Sequence, residues 1–135
     1  MSQPETTNPI RDAIAEAIAD NPTILFMKGT PEQPACGFSA RTVAALQTLG
    51  APFAAVDILP DPRIRQELSA LSNWPTIPQL FVKGELVGGA DIVQELAESG
   101  ELRTILDDRL GEGWETAQRE ERVVAIGPSS PLRLV

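Results

Sequence analysis

Histidine is absent from these 135 residues, and cysteine occurs once, at Cys36. A single thiol closes no disulfide within the chain, so the framework of a small secreted scaffold is excluded. A metal site built wholly from soft ligands of one chain is excluded as well, because such sites use three or four. Whatever metal species Cys36 binds must be completed from outside. Positive charge is also scarce. Eleven bases against 19 acids leave a formal net charge of −8, with no run of Lys or Arg. That balance repels phosphate backbones, and nucleic acid is set aside as a partner. No apolar run approaches the roughly 20 residues that span a bilayer, so no membrane is expected. Met1 to Ile10 hold one acid, two prolines and no base, unlike a secretory signal or an Arg-rich transit peptide. The expected location is cytoplasmic, although an organellar chain that had shed its leader would look the same.

What is present suits one compact domain with a real core. Hydrophobic residues are 42% and charged residues 22% of the chain, ordinary values for a globular protein. Asn8-Pro9 opens a helix, and Ile10, Ala13, Ile14, Ala17 and Ile18 give it an apolar face. Asn21-Pro22 stops it. Thr23 to Met27 reads as a buried strand, and Lys28 to Ala35 as a loop. A helix follows from Gly37, with Val43, Leu46 and Leu49 on one face and Gly50 as its stop. Ala54 to Ile58 is a second strand. Asp61-Pro62 opens a third helix with Ile64, Leu68 and Leu71 on its buried face. Gln79–Val82 and Glu85–Val87 form a hairpin around Lys83-Gly84. Asp91 and Gln94 resemble a capping box for a helix through Glu98. Leu102, Ile105, Leu106 and Leu110 mark one more. Strands alternating with helices, then a hairpin, imply a mixed sheet with helices on both faces. Beyond Gly111 the pattern dissolves, so residues 1–7 are expected as a flexible N-terminus, 8–111 as the domain, and 112–135 as a flexible or partner-docking tail.

Cys36 stands where a loop meets a helix start. Free helix N–H groups and the macrodipole favour a thiolate there, and Lys28 at the end of the preceding strand adds positive charge. Its pKa is therefore expected below that of a free cysteine. A lone cysteine is commonly a small core hydrophobe, but Pro34-Ala35-Cys36-Gly37 reads as a turn, and turns lie at the surface.

Phe26-Met27-Lys28-Gly29-Thr30-Pro31-Glu32 and Cys36-Gly37-Phe38-Ser39 resemble the active-site segment of the monothiol glutaredoxins. Asn73-Trp74-Pro75-Thr76-Ile77-Pro78-Gln79-Leu80 and Gly84-Glu85-Leu86-Val87-Gly88-Gly89-Ala90-Asp91-Ile92-Val93 continue the likeness, in family order and spacing, from about Asn8 to Leu110. The resemblance implies a thioredoxin-like α/β fold, a central mixed four-stranded sheet flanked by helices on both faces, with Pro78 in the cis form. It further implies that Cys36 is both the reactive thiol and a ligand of a [2Fe–2S] cluster, with glutathione alongside as a second sulfur donor. Such a cluster takes four sulfur ligands. One cysteine and one glutathione per chain make two, so a homodimer around the cluster is the simplest closure.

Other positions follow from the same resemblance. Lys28 and Arg65 correspond to residues that meet the glycine carboxylate of glutathione, and Ile77 to one whose backbone pairs with the tripeptide like an added strand. Gly88 and Gly89 allow close backbone approach, and the helix after them offers N–H groups to the glutamyl carboxylate. Asp91 would face the glutamyl amine, or serve only as an N-cap. Ala90 departs from the family, many members of which carry a second cysteine there, although its backbone contact is expected to survive. Phe38 is expected to pack beside the site. Ser39 stands where a dithiol glutaredoxin has its second cysteine, so a mixed disulfide on Cys36 has no internal thiol to release it.

Three functions are in contention. The preferred one is a carrier that passes a [2Fe–2S] cluster to apo iron–sulfur proteins or pairs with a BolA-like protein, in cluster assembly and iron homeostasis. The second is a glutathione-dependent thiol–disulfide oxidoreductase acting on mixed disulfides, weak at most without a second thiol. The third is a thioredoxin-fold interaction module with an idle cysteine.

Overall fold

In the computed structural model, the described residues are 8–111, 113 and 114, with the backbone of 122–127 and 130–134. The elements run α1 (Pro9–Asp20), β1 (Thr23–Met27), α2 (Gly37–Leu49), β2 (Ala54–Asp57), α3 (Pro62–Ser72), β3 (Gln79–Val82), β4 (Glu85–Gly88), α4 (Ala90–Ser99), α5 (Glu101–Leu110), β5 (Arg122–Gly127) and β6 (Ser130–Leu134).

Local chemistry sets several of these boundaries. The Asn8 carboxamide accepts the Arg11 N–H at 3.0 Å and the Asp61 carboxylate accepts the Arg63 N–H at 3.0 Å, each ahead of a proline that begins the helix. Lys83 and Gly84 both take positive φ, 55° and 83°, the backbone a two-residue hairpin needs to match strand twist. At α4 the cap differs from expectation. Gly89 is the N-cap, without a side-chain hydrogen bond, and Asp91 lies inside the first turn.

The strand order is β4-β3-β1-β2-β5-β6. β1 and β2 are parallel, while β3 is antiparallel to both β1 and β4, and these four make the mixed sheet of a thioredoxin-like fold. Every residue of β1 is buried because helices cover both faces. Ile24 and Phe26 meet Ile10, Ile14, Ile64 and Leu68 of α1 and α3, whereas Leu25 and Met27 meet Val43, Leu46, Val93 and Leu102 of α2, α4 and α5. Leu71, expected on the buried face of α3, is exposed at 41%. The residues by which α3 enters the core are Ile64 and Leu68. The Ile77–Pro78 bond is cis.

The segment after Gly111, expected to lack regular structure, contributes strands. β5 lies parallel to β2 through Ala54–Arg122 and Ala55–Val123, and β6 is antiparallel to β5. Trp114 is buried in the α5 side of the core, and its indole Nε1 donates to Asp107 Oδ1 at 2.6 Å. Strand pairing onto an existing edge is a long-range event, and no local periodicity announces it. No helix among the described residues is long and apolar enough to cross a membrane.

Candidate thiol and anion-binding site

Cys36 is the N-cap of α2, and its sulfur takes the place of the usual capping oxygen. It accepts the Ser39 N–H at 3.4 Å and lies 3.4 Å from Ser39 Oγ. The thiol donates to that hydroxyl when neutral; once ionised, the hydroxyl can turn and donate to sulfur. Burial pushes the Cys36 thiol up. The Ser39 hydroxyl, the N–H groups of Ser39 and Phe38, and the Lys28 charge outweigh it and hold the thiol below its ordinary value. Ser39 is fully buried, so this partner is held in place by packing.

The loop ahead of Cys36 is tied down at several points. Lys28 N–H donates to Ser39 Oγ at 3.0 Å, and Lys28 C=O accepts from Ala35 N–H at 2.8 Å. Thr30 and Gln33 exchange backbone hydrogen bonds at 3.2 and 3.0 Å. Gly29 has φ +89°, and a Cβ there would stand 2.5 Å from the Gln33 carbonyl oxygen and 2.6 Å from the Ala35 nitrogen. Only glycine fits this turn.

A groove of about 510 Å³ is lined by Lys28, whose charge acts on Cys36, and by Phe38 of the same helix start, while Cys36 itself is not among the lining residues. The structure brings Lys28, Arg65, Ile77, Ala90 and Asp91 together on its walls, with Phe38 at the Cys36 end. They come from the end of β1, from α3, from the loop before β3 and from the first turn of α4. Pro78 and Gly89 line it too, as do Trp74, Thr76 and Ile92, which were given no role by the sequence. Phe38, expected to pack beside the site, lines the groove while 54% exposed, and the Arg41 guanidinium sits 5.0 Å from its ring centroid.

The charge arrangement in this groove is distinctive. Arg11, Arg63 and Arg109 are ion-paired with Glu67, Asp61 and Glu85. Lys28 and Arg65 make no ion pair or side-chain hydrogen bond among the described residues. Two unspent cations on a chain of net charge −8 form a local positive field. At the other end, α4 presents N–H groups without a side-chain cap, with Asp91 in the first turn. A Cβ at Gly89 would come within 3.2 Å of Trp74 Nε1 and 3.3 Å of the Pro78 carbonyl oxygen, so glycine keeps this end open. Trp74 Nε1 is itself buried without a hydrogen-bond partner among the described residues.

The rim is held from beneath by Gln79. Its fully buried carboxamide donates to the carbonyl oxygens of Trp74 at 2.9 Å and Thr76 at 3.1 Å. A polar residue opening an otherwise apolar strand was the available signal for this clamp. No group of three or more His, Cys, Asp or Glu among the described residues is placed to hold a metal ion.

Comparison with known proteins agrees with this geometry. Residues 23–87 match the family described as glutaredoxin. Glutaredoxin 4 of Pasteurella multocida is 56% identical over 97 residues, which are 72% of this chain and 89% of that protein. Monothiol glutaredoxin-S11 of Oryza sativa subsp. japonica is 52% identical over 99 residues, 73% of this chain and 20% of that longer protein. Among solved structures, a monomeric truncated mutant of Trypanosoma brucei 1-C-Grx1 is similar with a TM-score of 0.68 at 40% identity, covering 76% of this chain and 93% of that one.

Proposed function

The chain belongs to the glutaredoxin family, among its monothiol members, and from that premise we propose that it binds glutathione in the groove beside Cys36 and carries a [2Fe–2S] cluster as cargo between two subunits. The observation that carries this reading is the pair of unspent cations, Lys28 and Arg65, sharing one groove with the N-terminus of α4, which has no side-chain cap. Glutathione has two carboxylates, an α-ammonium and a thiol. One carboxylate suits Lys28 and Arg65, and the other suits the α4 N–H groups. The ammonium suits Asp91. The Ile77 backbone, next to the cis-proline, can pair with the peptide as an added strand. This orientation leaves the glutathione sulfur at the Cys36 end.

A [2Fe–2S] unit takes four sulfur ligands. Cys36 supplies one from a thiol already biased towards its anion, and bound glutathione a second. With one cysteine and no histidine in the chain, a second subunit with its own glutathione completes four. BolA-like proteins and apo iron–sulfur proteins are the proposed partners, in cluster transfer and iron homeostasis in the cytoplasm.

A second reading has its own support in the stabilised Cys36 thiolate. The thiolate attacks the glutathione sulfur of a protein–glutathione mixed disulfide, and the protein thiolate leaves. A second glutathione thiolate then attacks the Cys36–glutathione disulfide, which releases oxidised glutathione and restores Cys36. With Ser39 in place of a second thiol, the second step depends on external glutathione. Anaerobic reconstitution with iron, sulfide and glutathione, followed by size-exclusion chromatography, separates the two. Visible iron–sulfur absorption eluting with a dimer, and lost in Cys36→Ser or without glutathione, supports the carrier. A colourless, folded monomer overturns the carrier reading and leaves thiol exchange.

A further inference from the structure

The groove works only if Lys28 is held at its wall, yet Lys28 lies in a loop just past the end of β1. The register explains what holds it. Met27 is opposite Asp57 at the last paired position of β1 and β2, and Ile58 N–H donates to Met27 C=O at 2.9 Å. Beyond that point the two strands diverge into separate loops. The Asp57 carboxylate spans the divergence. Its Oδ1 accepts the N–H of Gly29 and the N–H of Leu59, each at 3.0 Å. One oxygen thus fastens the first residue after Lys28 in one loop to the second residue after β2 in the other.

We propose that Asp57 is a positioning residue for the glutathione site: its carboxylate oxygen pins Gly29, and through Gly29 fixes Lys28 against the groove and Cys36. This rests on the glutathione reading above and extends it to a residue outside the groove lining. Lys28 is then held from three directions. Ser39 Oγ receives its N–H, Ala35 N–H is donated to its carbonyl, and Asp57 anchors the next peptide. The turn at Gly29 cannot relax elsewhere, since its backbone already abuts Gln33 and Ala35. The pin needs an acceptor oxygen and makes no use of the negative charge. Asparagine should therefore replace Asp57, and alanine should not.

The test compares wild type, Asp57→Asn and Asp57→Ala in three readouts. These are glutathione affinity by calorimetry, iodoacetamide alkylation of Cys36 against pH, and backbone amide exchange at Gly29. Loss of the acceptor leaves the Gly29 N–H unpaired and predicts about tenfold weaker glutathione binding in Asp57→Ala, with its alkylation profile moved to higher pH. Asp57→Asn should stay within about twofold of wild type in both. A folded Asp57→Ala that binds like wild type overturns the proposal, as does an Asp57→Asn as impaired as Asp57→Ala. If alanine prevents folding, Gly29 exchange decides: protection in wild type and Asp57→Asn supports the pin, and exchange at the free-peptide rate in wild type overturns it. Wild type without glutathione affinity overturns the proposed function instead, and the alkylation and exchange contrasts still judge Asp57.

Discussion

Replacing Ser39 by alanine strips one hydroxyl from a fully buried position and breaks two interactions. The Cys36 thiolate loses a donor 3.4 Å away, and the Lys28 N–H loses its acceptor at 3.0 Å. A hydrogen bond to a charged group contributes about 1.5–3 kcal/mol, and the long contacts of sulfur place this one at the low end. At about 1.4 kcal/mol per factor of ten, the thiolate population at neutral pH should fall about tenfold. Leaving Lys28 N–H unpaired costs about 1–3 kcal/mol of stability, towards the lower figure because water reaches this loop. The assay is the iodoacetamide alkylation rate of Cys36 from pH 5 to 10, since only the thiolate reacts. Ser39→Ala should react about tenfold more slowly at neutral pH, with its inflection moved upward and the plateau at high pH unchanged. A rate within about twofold of wild type with an unmoved inflection would refute the argument, and would leave the helix N-terminus and Lys28 as the stabilising groups.

Three further outcomes are expected. Cys36→Ser keeps an N-cap but loses the thiolate. Because the folded pKa of Cys36 lies below the ordinary 9.0, its ionisation contributes stability that is full above that pH and lost as pH falls through the folded value. Urea midpoints of wild type and Cys36→Ser should accordingly diverge as pH rises, and parallel curves would contradict the shift. Gly29→Ala forces a side chain into a positive-φ turn against backbone atoms at 2.5 and 2.6 Å. It should cost about 2–4 kcal/mol from strain and the opened Lys28–Ala35 bond, read as a lowered urea midpoint, and a loss below about 0.5 kcal/mol would count against it. Trp114→Ala should cost about 3–5 kcal/mol in the same assay, whereas a near-neutral result would mean that the core ends with α5.

Much of the site was legible along the chain because its signals are local. Asn8-Pro9, Asp61-Pro62 and Lys83-Gly84 each settle a boundary within a few residues, by capping or by turn conformation. The thiolate bias of Cys36 was read from a turn followed by a helix start and from Lys28, whereas the Ser39 hydroxyl, the leading group that favours the thiolate, was not. Lys28, Arg65, Ile77, Ala90 and Asp91 were named through the family resemblance rather than from local signals, and they line one groove. Asp91 shows the limit of local reading, because a capping pattern did not make it the cap. Only the backbone path from β4 decided that Gly89 starts α4.

The sequence by itself determined the element order from α1 to α5, the single thiol and the absence of a second one within reach. It thereby determined that any cluster on Cys36 must recruit outside sulfur, since composition needs no coordinates. The tertiary structure alone decided what requires two distant segments to meet. Asp57 is an ordinary acid at a strand end until Gly29 comes within 3.0 Å of it, and Gln79 is an odd polar residue until the carbonyls of Trp74 and Thr76 turn towards its amide. Trp114 and the strands after it read as a tail until the α5 side of the core and the free edge of β2 were there to receive them. Hydrogen bonds across such separations depend on the register of the whole sheet, and register is a property of the folded chain rather than of any stretch of it.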